Sequence, residues 1–467
     1  ATTVAPSITG SITVSGVAGA TSAATETSNA TAIDANDGND SVNNTAKLMA
    51  STVANANGVS VSVTAAGLAV AGNTFWDGGV NSVATSKGID GGKGQDGITN
   101  SGEIDADATA VTTGTNVSVA VAGVAGAISA SQAQARTTAI DGGDGNDTIF
   151  NTGKLSATTL ANADTVGAAV SVYGVGVAGN NTWDGGTTTD ARSTGIDGGT
   201  GQDSIGNGGE IEAKATTEST SVGVGFDVFG VSGAVTTATA RSHATAIDAG
   251  EGDDQINNSA KLMSSADATG VAVNAAFSFG GVSGTGDSVW DGGTTAEATA
   301  KGIDGGTGQD RIANDSLIET SANSTTVSNN DTVTVFGVAG ATSTTNSTAN
   351  ATAIDGGDDV DVLTNSGELQ ATSNATAAGV SVAVTAIGAS VATDSFWDGG
   401  TQANAASKGI DGGTGDDQIA NTGLITADAT SDTHSVSVSA TGAIVAAASA
   451  ASTSTADATA IDGGDGS

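Results

Sequence analysis

Aspartate recurs along this chain in pairs six residues apart: Asp34 and Asp40, Asp90 and Asp96, Asp141 and Asp147, Asp197 and Asp203, Asp248 and Asp254, Asp304 and Asp310, Asp355 and Asp361, Asp411 and Asp417, with Asp462 opening a further pair. Glycines separate the two members, among them Gly92 and Gly94, Gly143 and Gly145, Gly199 and Gly201, Gly250 and Gly252, Gly306 and Gly308, and Gly413 and Gly415. Carboxylates on glycine turns, with no His or Cys beside them, are hard oxygen ligands that suit a divalent cation and Ca2+ best. The plainer account is that glycine supplies positive φ and aspartate makes local turn hydrogen bonds, with no ion. Charge favours the first account if the turns stack. Unit charges about 4.8 Å apart repel by about 3.5 kcal/mol at an effective dielectric near 20.

The spacing of the pairs says what must position them. Successive first aspartates, each preceded by Ile, are separated alternately by 56 and 51 residues, so two half-units sum to 107 each time. Residues 34–140, 141–247, 248–354 and 355–461 form four such super-repeats; residues 1–33 continue a preceding half-unit and 462–467 start another. Ten residues after the first aspartate stands Asn (Asn44, Asn100, Asn151 and on to Asn421), and fourteen after it stands Leu or Ile (Leu48, Ile104, Leu155 and on to Ile425). Thirty-three after it stands Gly, from Gly67 to Gly388, with Ile444 the one departure. The five extra residues of the longer half-unit fall near a Trp-Asp-Gly-Gly at Trp76, Trp183, Trp290 and Trp397.

Locally the period is two. Val59, Val61 and Val63 alternate with small or polar residues, as do Val222, Val224, Phe226 and Val228, the signature of strands with one buried face. Strands and turns in strict register predict an all-β fold, a right-handed parallel β-solenoid. Stacking would make the Asn positions a ladder and the Ile and Leu positions apolar columns. Whether a half-unit forms one wide rung or two ordinary ones is open at this stage.

Five turns read Gly-Gly-x-Gly-x-Asp: Gly91 to Asp96, Gly142 to Asp147, Gly198 to Asp203, Gly305 to Asp310 and Gly412 to Asp417. This resembles the nonapeptide of repeats-in-toxin (RTX) proteins. The resemblance implies Ca2+ held by Asp carboxylates and backbone carbonyls of stacked turns, and folding after export. It covers about nine residues per half-unit. The turns depart from it at Ala35, Asn36, Ala249 and Asp359, and they lie 51 or 56 residues apart instead of in tandem.

Composition narrows the function classes. Fifty acids against 12 bases give a net charge of −38, which opposes binding to nucleic acid or anionic membranes. There is no cysteine, hence no disulfide or thiolate site. No apolar run is long enough to span a membrane. The two histidines, His243 and His434, occupy different places in the repeat and sit in no nucleophile motif. The expectation is a non-enzymatic, secreted bacterial protein of the extracellular space or cell surface: a fibre, sheath, surface layer or adhesin stalk. Its partners would be copies of itself, joined end to end or laterally, since the chain begins and ends within a repeat.

Three further readings carry alternatives. The tryptophans could form a glycan-stacking row on a carbohydrate-binding or carbohydrate-active β-helix, or simply pack beside turns. Thr-rich stretches such as 236–245 suggest an ice-binding face or a plain solvated one. Thirteen residues after the first aspartates, Lys47, Glu103, Lys154, Glu210 and Lys261 alternate in sign, forming either a cross-rung salt-bridge ladder or merely solvated positions.

Overall fold

A computed structural model describes residues 1–72, 79–179, 186–286, 293–394 and 400–466. The chain is a parallel β-solenoid in which each half-unit makes one wide rung. In one rung a long strand, Leu155–Gly179, is followed by a return strand, Thr187–Asp197, a glycine turn, and a short strand, Ser204–Asn207. The next long strand, Ile211–Val235, then starts the following rung and pairs in parallel with the first. Repetition of this path gives a ten-stranded sheet of long strands, a nine-stranded sheet of return strands and an eight-stranded sheet of short ones among the described residues. Long and return strands are separated by residues 180–186 in the longer half-unit, but only by residues 236–237 in the shorter one. The five extra residues therefore fall at the Trp segment, as the spacing implied.

Each long strand folds back on itself at the recurrent glycine. Gly67, Gly123, Gly174, Gly230, Gly281, Gly337 and Gly388 have φ between 126° and 150°, and a Cβ on Gly230 would lie 1.9 Å from the Gly174 carbonyl oxygen of the preceding rung. Only glycine fits that bend without strain. Ile444 occupies the equivalent place at φ 116°. Because of the bend the two arms face each other: Ser60 Oγ donates to the Gly72 carbonyl at 2.9 Å, and Asn116 Nδ2 to that of Ile128 at 2.8 Å. The rung is thus flattened, with the aspartate turn at one end and the glycine apex at the other.

The core changes character along the rung. Beside the turn, Ile89, Ile98, Ile104, Ile140, Ile149 and Leu155 and their equivalents stack into a fully buried column, each worth about 1.5–3 kcal/mol of burial. Further along, the apolar part of the core is alanine, from Ala54 to Ala405, interspersed with buried serines and threonines such as Ser86, Thr159, Ser242 and Ser324. Toward the apex the interior is polar, with Ser60, Ser62, Thr64, Asn116 and Asn274 buried and hydrogen bonded, as in Asn274 Nδ2 to Asn330 Oδ1 at 2.8 Å.

This arrangement reverses the role expected of the alternating valines. Val61, Val224 and Phe226 point outward and are 37–40% exposed, while Ser60, Ser62 and Ser221 fill the interior. The closely spaced layers are filled by serine, threonine, asparagine and alanine, and hydroxyls hydrogen bond across the gap, as Thr285 and Thr332 do at 2.7 Å.

Candidate functional site

The glycine turns are themselves laddered. Gly91 N–H donates to the Asp141 carbonyl at 2.9 Å, Asp144 N–H to that of Gly92 at 2.8 Å, and Gly94 N–H to that of Asp144 at 2.7 Å, each partner lying in an adjacent rung. The second glycine of the motif needs positive φ, from 75° at Gly464 to 100° at Gly357. The departures fit this geometry: Asn36 (φ 66°) and Asp359 (φ 77°) replace glycine where φ is positive, and Asn and Asp are the side chains that tolerate it best. The residue between the glycines forms an exposed column, Asp37, Lys93, Asp144, Thr200, Glu251, Thr307, Asp358, Thr414 and Asp465. Acids occupy alternate rungs there, so no two like charges are direct neighbours.

The two aspartates of each pair, read together from the sequence as one ligand set, have different environments. First-position aspartates stack in register, Asp90 beside Asp141 and Asp197 beside Asp248. Three lysines bridge them in twos. Lys87 Nζ lies 2.8 Å from Asp90 Oδ2 and 2.7 Å from Asp141 Oδ2; Lys301 lies 2.7 Å from both Asp304 and Asp355; Lys408 lies 2.6 Å from Asp411 and 2.8 Å from Asp462. Burial works against the Lys301 charge, but Asp304 and Asp355 hold its pKa above the usual lysine range. In the second super-repeat the lysine position is Thr194. With no ammonium between them, burial and then neighbouring carboxylates push Asp197 up to about 7 and Asp248 to about 6.

Second-position aspartates point inward. Asp96, Asp147, Asp203, Asp254, Asp310 and Asp361 are at most 3% exposed. One oxygen of each is used: Asp40 N–H donates to Asp96 Oδ1 and Asp96 N–H to Asp147 Oδ1, both at 2.6 Å, and the ladder continues to Asp361 N–H and Asp417 Oδ1 at 2.9 Å. The other oxygen is not. Oδ2 of Asp40, Asp96, Asp147, Asp203, Asp254, Asp310, Asp361 and Asp417 is buried with no hydrogen-bond partner. Burial, partly offset by the backbone N–H bond, raises Asp203, Asp310 and Asp361 to about 7 and Asp254 to about 6.

These facts test the fit of a cation. A row of buried, unpartnered carboxylate oxygens calls for positive charge, either a proton or a metal ion. The Oδ2 atoms of the second-position aspartates are the donors that fit. The first-position set fits less well, because Lys87, Lys301 and Lys408 already neutralise it. Turn carbonyls such as those of Gly92, Asp141 and Asp144 accept inter-rung backbone bonds. Among the described residues no three carboxylate or imidazole side chains converge on one point.

The asparagine ladder is continuous: Asn44 Nδ2 donates to Asn100 Oδ1 at 2.7 Å, Asn100 to Asn151 at 2.8 Å, and so on to Asn365 and Asn421 at 2.7 Å. The charged column at the corner forms half-exposed pairs, Lys47 with Glu103 at 3.1 Å and Lys154 with Glu210 at 4.0 Å. Where Leu317 interrupts the column, Lys261 reaches Glu319 at 3.0 Å. Trp76, Trp183, Trp290 and Trp397 lie outside the described residues. The lysines that bridge aspartates were missed in the sequence, although Lys recurs three residues before Asp90, Asp304 and Asp411. Comparison with family models, curated proteins and solved structures finds no match for this chain.

Proposed function

We propose that this chain is a structural segment of an extracellular or cell-surface assembly, such as a fibre, sheath, surface layer or adhesin stalk, and that Ca2+ completes its buried aspartate ladder. One observation carries the reading: the same unpartnered Oδ2 recurs at every second-position aspartate from Asp40 to Asp417. Chemistry repeated identically in every rung suits a material, whereas a catalyst needs one singular site. Ca2+, when bound, would supply the positive charge that Oδ2 lacks. The protein's own part is to fix each carboxylate through its Oδ1 bond to the preceding rung, so that charge neutralisation is coupled to rung stacking.

Such a ladder makes folding conditional on the ion, because a ligand that binds only the folded state stabilises it by mass action. A chain of this kind stays loose where calcium is scarce and stiffens outside the cell. Small-angle X-ray scattering tests the solenoid shape. With calcium the account predicts the cross-section of a thin, wide plate and a length near 40 Å, from nine rungs at about 4.8 Å each. A compact globular profile would overturn it. Protease shaving of intact source cells tests the location: loss of the protein from unlysed cells supports the surface reading, and protection until lysis contradicts it.

A further inference from the structure

The apex edge of the solenoid has a composition unlike the rest of the chain. The nine segments that form it, 13–21, 64–72, 120–128, 171–179, 227–235, 278–286, 334–342, 385–393 and 441–449, contain a single charged residue, Asp227. That residue is fully buried. The whole chain carries 62 charged residues, 50 acids and 12 bases, so carboxylates are concentrated elsewhere, including the turn end of the rung. The apex side chains that face out are apolar and large: Tyr173 is 57% exposed, Phe229 and Phe336 each 46%, Phe279 42%, Val282 45% and Ile387 51%. They form a continuous ridge. Tyr173 stacks on Phe229 at 5.6 Å, Phe229 meets Phe279 edge-on at 5.8 Å, and Phe279 meets Phe336 at 5.6 Å.

We infer that this ridge is a lateral interface that takes a second copy of the same chain, ridge against ridge about a two-fold axis. The inference deepens the structural reading above and names the surface by which chains associate. Charge selects the occupant. Two molecules of net charge −38 repel over most of their surfaces, and the apex is the strip along which they meet with no carboxylate facing another. Pitch selects it too: a ridge that repeats about every 4.8 Å interlocks with a surface of the same repeat, which a second copy provides in a self-complementary, isologous contact. The ridge spans the five rungs from Tyr173 to Ile387, about 20 Å, within an uncharged apex edge about 40 Å long and about 15 Å wide; the whole edge would bury roughly 1,200 Å² in total over both partners, the lower bound of a specific interface.

Sedimentation velocity of the full chain in calcium, over a concentration series, tests the inference, with circular dichroism as the control for folding. The wild type should shift from one to two chain masses. Added salt should strengthen pairing, because it screens the repulsion between the acidic bodies and leaves the apolar contact intact. Phe229→Asp combined with Phe336→Asp changes two exposed positions; it should keep the β spectrum and lose dimer at least tenfold. A wild type that stays monomeric at the highest concentration overturns the inference, as does a double variant that pairs as well as the wild type. A monomer that instead floats with phosphatidylcholine vesicles also overturns it, assigning the ridge to a lipid surface. None of these failures touches the structural reading, which scattering from single chains tests separately.

Discussion

Lys301 Nζ stands 2.7 Å from the Oδ2 atoms of both Asp304 and Asp355, so one ammonium joins two successive rungs. Lys87 and Lys408 do the same, whereas Thr194 leaves Asp197 and Asp248 facing each other without a cation. Thr194→Lys should therefore stabilise the protein by about 1 kcal/mol, a value discounted for the partial exposure of these groups. Lys301→Met should destabilise it by about 2 kcal/mol or more, since two largely buried carboxylates, 17% and 16% exposed, lose their partner. Thermal unfolding in calcium at pH 8 reads both; equal midpoints for the three proteins would refute the bridging role.

The inward ladder makes stability depend on pH in an unusual direction. Asp203, Asp310 and Asp361 titrate near 7 in the fold, well above the unfolded value of about 3.9. Between those values the folded state binds more protons than the unfolded one, so stability rises as pH falls. The gain is complete below about pH 4 and is lost as pH rises through about 7. In excess chelator, acidification from pH 8 to pH 5 should thus increase β structure, and a decrease measured by circular dichroism would count against the ladder.

Single substitutions separate the charge of the ladder from its hydrogen bonds. Asp203→Asn keeps an Oδ1 acceptor for the Asp147 amide, which donates at 2.7 Å, and removes the negative charge. It should stabilise the calcium-free protein at pH 8 and lower the calcium stoichiometry. Asp203→Ala leaves that buried amide unpaired and should destabilise by about 1–3 kcal/mol under every condition. Calorimetric titration and urea unfolding compare each variant with the wild type; an Asp203→Asn protein with the wild type's calcium stoichiometry and calcium-free stability would rule out a role for Oδ2.

The apex bend supplies a test of backbone strain. Ile444 holds φ 116° where its equivalents are glycine, so Ile444→Gly should stabilise by about 1 kcal/mol. Gly230→Ala should destabilise by more than that, because its Cβ would press on the Gly174 carbonyl. Thermal midpoints that move in the opposite sense would show that the bend is not set by these residues.

Much of this architecture is legible in the spacing of a few residue types. The 51- and 56-residue gaps give the repeat but leave the number of rungs per half-unit open, the asparagines at Asn44 and its equivalents mark a real ladder, and Leu48 and its equivalents mark the apolar column. The lysine bridges are harder to see because strict alternation puts Lys87 and Asp90 on opposite faces. Gly88 and Ile89 are both buried in succession, which resets the alternation and turns both charged side chains outward. A Cβ at Gly88 would meet the Ala139 carbonyl oxygen and Ile104 Cγ2 at 2.4 Å each; the alternate rungs make the same step with alanine, at Ala139, Ala246 and Ala353, so the shift goes with a small buried residue before the isoleucine. The outward valines were hidden for a different reason: period two identifies two faces, and the distance between layers decides which one is buried.

The most direct test of the central claim is a far-UV circular dichroism titration of the full chain at pH 8, from excess chelator into Ca2+, with Mg2+ as control. The account predicts loss of β structure in chelator, recovery with Ca2+, and little recovery with Mg2+, which is slow to shed its water for carboxylates. A β spectrum unchanged in excess chelator at that pH would contradict it, leaving a solenoid whose buried aspartates need no metal.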